Sequence, residues 1–194
     1  MIDPHAADDH ATPLTPAERD DLIPTHITVR GELNELEQKN IAAADRWAFS
    51  RRHVVTRDRF LKSLHKRMFD RVWRWAGTYR TTERNLGVQP FEIEPALRQT
   101  LDDARYWIEH KSFPSDEIAV RFHHRLVSVH PFPNGNGRWS RLAADVLITQ
   151  LGSTRFTWGG ANLQAAGDVR KSYIDALHTA DEHDLELLIR FARS

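Results

Sequence analysis

The residues best equipped for chemistry in this chain lie together in one segment, His130-Pro131-Phe132-Pro133-Asn134-Gly135-Asn136-Gly137-Arg138. Prolines 131 and 133 and glycines 135 and 137 do not suit a helix interior, yet helical patterns flank the segment on both sides. It therefore reads as a helix, a tight loop and the start of the next helix. Glycines at 135 and 137 let backbone N–H groups turn inward as a nest. The new helix adds its own free N–H groups and the positive end of its dipole. Arg138 and Arg141, three apart, share one side of the first turn. Such a site suits an anion with several oxygens, a di- or triphosphate above all, because Arg forks grip phosphate bidentately. His130 stands at the lip. With an ordinary pKa near 6.5 it is placed to take a proton from a hydroxyl that attacks a bound phosphate chain. A general base of this kind contributes about 10²–10⁴-fold in rate, and alignment and electrostatics supply the rest.

The same residues have plainer readings. His130 alone would pass for a structural loop histidine. Asn136 can cap the next helix as well as face phosphate. Trp139 reads as packing, and Tyr173 suits the core as well as a nucleobase. His123-His124 with His130 suggests a metal site, but adjacent helix positions point to different sides and no carboxylate completes a triad, so ordinary helix histidines are favoured over a zinc centre.

The elements that must hold the loop can be traced along the chain. Residues 1–13 are small, polar and proline-interrupted. Thr15-Pro16-Ala17-Glu18 is a capping box, opening a short helix that Pro24 stops. A longer helix is expected from about Thr28 to Phe49, with Leu33, Leu36, Ile41, Ala44, Trp47 and Ala48 in helical rhythm. Thr56 is expected to cap a third, with Phe60, Leu61, Leu64 and Met68 on one face. From Thr78 to Ile93 the pattern suits a short hairpin or extended loop. Pro95 opens a further helix, Phe113-Pro114 breaks it, and Ser115 caps the helix that leads into His130. An amphipathic run from Trp139 to Leu151 follows the loop, and two closing helices are expected near Leu163–Thr179 and Glu182–Ala192. The expected fold is mostly α with one small hairpin.

Composition excludes several classes. Lys+Arg and Asp+Glu both number 27, so the chain is neutral before its 11 histidines are counted. Holding polyanions by bulk charge is therefore disfavoured. The locally basic stretch from Arg51 to Arg74 reads as a solvated face, and a nucleic-acid binder using it is the least favoured hypothesis. No apolar run approaches the ~18 residues that span a bilayer. The start, MIDPHAADDH, lacks the apolar region of a secretory signal, and there is no cysteine to form disulfides. A cytoplasmic protein is the expectation.

The loop resembles the motif of the Fic (Fido-domain) family, H-P-F-x-(D/E)-G-N-G-R-x-x-R, which His130, Pro131, Phe132, Gly135, Asn136, Gly137, Arg138 and Arg141 reproduce at the right spacing. LHKRMFDRVWRWAGTYR is similar to the stretch before the family's hairpin flap, and YIDALHTADEHDLELLIRF to its closing helices. The version HPFPNGNGR looks like the subgroup called mobile mystery protein B. The resemblance implies a Fic-type helical bundle with a small β-hairpin flap, in a Fic domain over residues 56–194 behind a helical extension, 1–55. It also implies transfer of AMP from ATP, with Mg²⁺ or Mn²⁺, to a protein hydroxyl. His130 would be the base and Phe132 the anchor of the loop. Gly135, Asn136 and Gly137 would form the anion hole, with Arg138 and Arg141 on the β- and γ-phosphates. The strip Thr82, Glu83, Arg84, Asn85, Leu86, Gly87 and Val88 would align the target's backbone by strand addition. A toxin-like role in a bacterium, with an antitoxin-like partner encoded nearby, follows from the resemblance alone.

One departure stands out. Asn134 replaces the family's acidic Mg²⁺ ligand, and an amide oxygen ligates without charge, so metal binding weakens. The outcomes are a slower transferase, transfer of another phosphate-containing group, or a silent nucleotide- or partner-binding regulator. Retained transfer is favoured because His130 and both arginines are intact. The family also restrains itself through an inhibitory helix, (S/T)-x-x-x-E-(G/N). Thr28-Val29-Arg30-Gly31-Glu32 fits its first five places, with Leu33 in the sixth, which makes Glu32 the candidate inhibitory residue.

Overall fold

The computed structural model describes residues 15–25, 27, 29–160 and 167–194. The expected irregular stretch 1–13, Thr28 and the start of the helix expected at Leu163 lie outside them. The described chain is mostly helical. α1 spans Pro16–Asp20, α2 Arg30–Phe49, α3 Asp58–Phe69, α4 Ile93–His110, α5 Ser115–Val129, α6 Asn136–Gln150, α7 Asp168–Asp181 and α8 Glu186–Arg193. Short 3₁₀ turns cover Pro90–Glu92 and Trp158–Gly160.

α6 is the central helix. Trp139, Leu142, Ala143, Ala144, Val146, Leu147 and Ile148 are all buried, so nearly every face is covered. It packs against α5, α3 and α2, while α4 and α8 close on α5, and α7 pairs with α8. One core runs through the whole, from Leu33, Ala44 and Ala48 of α2 to Leu188 and Ala192 of α8. The capping box of α1 is present as expected: the Thr15 hydroxyl accepts from Glu18 N–H and the Glu18 carboxylate accepts from Thr15 N–H. α1 is docked through its C-terminal end, where Ile23 N–H donates to Val72 O at 2.8 Å and Arg74 N–H to Asp21 O at 3.0 Å.

Three expectations need correction. Thr56 does not cap α3. Arg57 takes the capping position without a side-chain bond, and the Thr56 carbonyl accepts instead from Arg105 at 2.7 Å. Ser115 begins α5 rather than capping it, because Pro114 holds the extended cap conformation. The expected β-hairpin flap is not formed: among the described residues the only ladder contact is a single antiparallel bridge between Leu22 and Trp73. The reason lies in where the flap's backbone bonds go. Arg80 N–H donates to Pro131 O and Val88 N–H to Val129 O, so the arms bond to the loop after α5 and to the last residue of α5 rather than to each other. The carbonyls of Thr82 and Val88 are taken by the Arg80 guanidinium.

Candidate active site

The loop between α5 and α6 begins where α5 ends. His130 closes that helix in a left-handed conformation, φ 50° and ψ 59°, a setting that costs a non-glycine residue about 1–2 kcal/mol. The turn that follows is held from inside. Phe132 is fully buried, stacked on His65 at 3.6 Å between ring centroids and edge-on to Trp139 at 4.9 Å. The Asn136 amide clasps the Phe132 backbone: its oxygen accepts from Phe132 N–H at 2.9 Å and its nitrogen donates to Phe132 O at 2.8 Å. Asn136 therefore neither caps α6 nor turns its side chain to an anion, and what it offers a phosphate is its backbone N–H. His65 ties the other end of the turn. Gly77 N–H donates to its Nδ1 at 3.0 Å, so Nε2 carries the hydrogen and donates to Asn134 O at 3.0 Å. Burial holds the His65 pKa down to about 3, which keeps that tautomer neutral.

Gly135 is required by conformation and by space. Its φ is +79°, and a Cβ there would lie 2.5 Å from the buried Phe69 ring. It starts α6, whose first turn carries the N–H groups of Asn136, Gly137 and Arg138, and a helix's opening N–H groups have no carbonyl partner within the helix. The arginines lie beside that turn. Arg141 sits over the Tyr173 ring at 5.3 Å, and a Cβ on Gly137 would be 3.6 Å from Arg141 Nη1. Arg138 stacks over Phe69 at 4.8 Å. The loop thus joins His130, at the end of α5, to the N-terminus of α6 and its two arginines.

His130 is nearly buried, with 9 % of its surface exposed. Burial first, then the positive charge of Arg80, hold its pKa down to about 4, against a hydrogen bond to the Val127 backbone that works the other way. At neutral pH the imidazole is therefore uncharged. The flap covers it: a Cβ on Gly87 would lie 2.5 Å from His130 Cβ. Thr82 and Arg84 are tied to Glu18 of α1, Thr82 by its hydroxyl at 3.3 Å and Arg84 by an ion pair. The Glu83 carboxylate accepts from Gln89, and Asn85 and Leu86 are exposed.

A divalent ion finds little here to hold it. Asn134 offers an amide, and its oxygen already accepts from Gly135 N–H at 2.7 Å. Among the described residues no group of three His, Cys, Asp or Glu could hold a metal. This donor set does not fit a magnesium site belonging to the protein. His123 turns into the core to meet the Tyr173 hydroxyl at 3.0 Å, while His124 reaches Asp181 at 2.8 Å on the outside.

Sequence reasoning missed Glu37, Arg80 and His65. Glu37 lies on the buried face of α2, pairs with Arg138, and accepts from Trp73 Nε1 at 2.7 Å. Its position was detectable, four residues from both Leu33 and Ile41 on the apolar stripe. Glu32, the residue singled out by pattern, is exposed in the first turn of α2. His65 and Arg80 stand within a segment legible only as a whole.

A helical bundle built around a glycine turn, an imidazole and two arginines defines a Fic-type domain. Residues 56–148, just under half of the chain, match the Fic/DOC family model. A protein adenylyltransferase fic-1 from Caenorhabditis briggsae is 30% identical over 119 residues, 60% of this chain. The chain spans only 22% of that relative's length. Among solved structures, the BepC protein of Bartonella tribocorum with bound AMPPNP superposes with a TM-score of 0.68 at 17% identity, covering 92% of this chain and 97% of that one. Fic-1 of C. elegans, residues 134–508, gives 0.66 at 23% identity, covering 90% and 51%. These two likenesses concern the fold. No helix among the described residues is long and apolar enough to cross a membrane.

Proposed function

We propose that this protein transfers AMP from ATP to a hydroxyl of a protein. His130 takes the hydroxyl's proton, the oxygen attacks the α-phosphorus, and a phosphodiester forms as pyrophosphate leaves. The N–H groups opening α6 receive phosphate oxygens, and Arg138 and Arg141 take the charge of the β- and γ-phosphates. Because the residues do not form a metal site of their own, a divalent ion belongs to the substrate's phosphates. What supports this reading is the order of groups along one turn: His130, uncharged at neutral pH, closes α5, and the N–H groups that open α6 follow, with Arg138 and Arg141 on its first two turns. The names of the relatives, protein adenylyltransferases, point the same way.

A second reading, a nucleotide-binding regulator with little or no turnover, is favoured by two contacts. The Asn134 oxygen is engaged by Gly135, and Arg138 is held by Glu37. Restraint by an α2 carboxylate fits Glu37, which already grips a phosphate-binding arginine. The test is incubation of the protein, alone and with a lysate, with each NTP, followed by mass spectrometry. An added mass of one nucleotide monophosphate, lost in His130→Ala, supports transfer. Nucleotide binding with no added mass under any metal supports the second reading.

A further inference from the structure

We propose that Arg80 is a positioning residue that locks the 82–88 flap to the His130 turn, so that the segment lining up an acceptor and the base that takes its proton move as one unit. This rests on the transferase reading above. Arg80 is 3 % exposed. Its Nε donates to the carbonyl of His130 at 2.7 Å and Nη1 to that of Thr82 at 2.9 Å, while Nη2 donates to that of Val88. Its own N–H donates to Pro131 O at 2.9 Å. One side chain thus holds both arms of the flap and the carbonyl of the base residue.

The geometry needs a guanidinium. Its rigid fork sends donors in three directions at once, whereas a lysine is a single point charge. The bonds also replace a missing ladder: carbonyls that strand pairing would otherwise satisfy accept from Arg80, and leaving buried carbonyls unpaired is costly. Gly87 completes the lock. At φ +93° it carries no side chain, and a Cβ there would come within 2.5 Å of His130 Cβ and 2.9 Å of Arg80 Nη2. From outside, Glu18 braces the flap through Arg84, but neither touches the base's backbone in the way Arg80 does.

The experiment compares the full chain with Arg80→Lys, which keeps the cation and loses the fork. Amide exchange across 82–88 rises about tenfold or more, the effect of one or two lost hydrogen bonds, while exchange within α5 and α6 stays unchanged. ATP affinity by calorimetry stays within about twofold and the self-labelling rate at saturating ATP falls about tenfold, since alignment rather than nucleotide binding is lost. If Arg80→Lys does not fold, Gly87→Ala, which drives a methyl group against the same contact, is read the same way. Unchanged exchange at 82–88, or exchange and ATP affinity degraded alike across the whole bundle, overturns the proposal. If the unaltered protein transfers nothing, the transferase reading fails, and the exchange pattern alone decides whether Arg80 locks the flap.

Discussion

Glu37→Gln should tighten ATP binding while it weakens the fold. The substitution removes the charge opposite Arg138 but leaves an amide oxygen to accept from Trp73 Nε1. Magnitude follows from burial: the Glu37 side chain is 9% exposed and that of Arg138 18%. Exposed pairs contribute under about 1 kcal/mol, and a fully buried pair loses about 3–5 kcal/mol when one partner goes. This pair falls between, and the Phe69 ring under Arg138 keeps the guanidinium in place without Glu37, so ~1–2 kcal/mol is the working figure. In the free protein that energy holds Arg138 on Glu37, and an arriving phosphate has to displace it. Removing it lowers the Kd for ATP about 5- to 30-fold. The same loss lowers Tm by about 2–8 °C for a chain of this size. Calorimetry with ATP and a thermal melt read the two opposite signs, and transfer from α-labelled ATP reads the consequence. Glu32→Gln, at an exposed position, is the control and should change neither. Unchanged or weaker ATP affinity in a folded Glu37→Gln protein would refute the argument.

Three further outcomes are expected. Gly135→Ala must accept a left-handed backbone, about 1–2 kcal/mol, and push a Cβ toward the buried Phe69 ring 2.5 Å away; a thermal melt should show Tm lower by at least about 4 °C, and calorimetry should show no ATP binding. Asn134→Asp keeps an oxygen for Gly135 N–H and adds the missing charge, so transfer at limiting Mg²⁺ should rise; an unchanged Mg²⁺ titration would show that the amide is not what limits the reaction. Buried His65, His123 and His130 all have lowered pKa values, the first and last to about 3 and 4, so the unfolded chain binds protons below pH 6.5 that the folded one refuses. Stability is therefore full above that pH and is lost as pH falls, by about 2 kcal/mol at pH 5 for each of His65 and His130; urea melts at pH 7 and pH 5 giving equal stability would contradict it.

What the sequence made legible is the part that depends on local chemistry. The capping box at Thr15, the helical rhythm of α2 and the breaks at Pro114 and in the 130–137 loop are all decided within a few residues, and they appear as expected. The candidate site could be proposed from sequence for the same reason, since His130, the two glycines and two arginines lie within twelve residues of chain. What escaped depends on contacts across long separations. Glu37 meets Arg138 across 101 positions, and His65 meets Asn134 across 69. The flap looked like a hairpin because its turn residues are right for one. Nothing local reveals that Arg80 takes the carbonyls a second strand would have used.

The hydrogen bonds around the loop explain why such a turn can stand ready before any nucleotide arrives. Its backbone is non-helical and mostly buried, so each polar group must find a partner or cost about 1–3 kcal/mol. Arg80 supplies donors for His130 O and Pro131 O, Asn136 serves both sides of Phe132, His65 takes Asn134 O, and the Asn134 side chain takes Gly135 N–H. These partners come from the flap's base, from α3, from α6 and from the loop itself, so the turn is fixed from several directions without using the N–H groups that open α6. A dipole array that need not reorganise is where electrostatic stabilisation of a phosphate acts most strongly. On the reading proposed above, the phosphate-facing group that does have to move is Arg138, already paired with Glu37. On the proposed transferase reading the anion hole is constant, and control over the nucleotide falls to a carboxylate on α2, a helix outside the 56–148 segment that the family model matches.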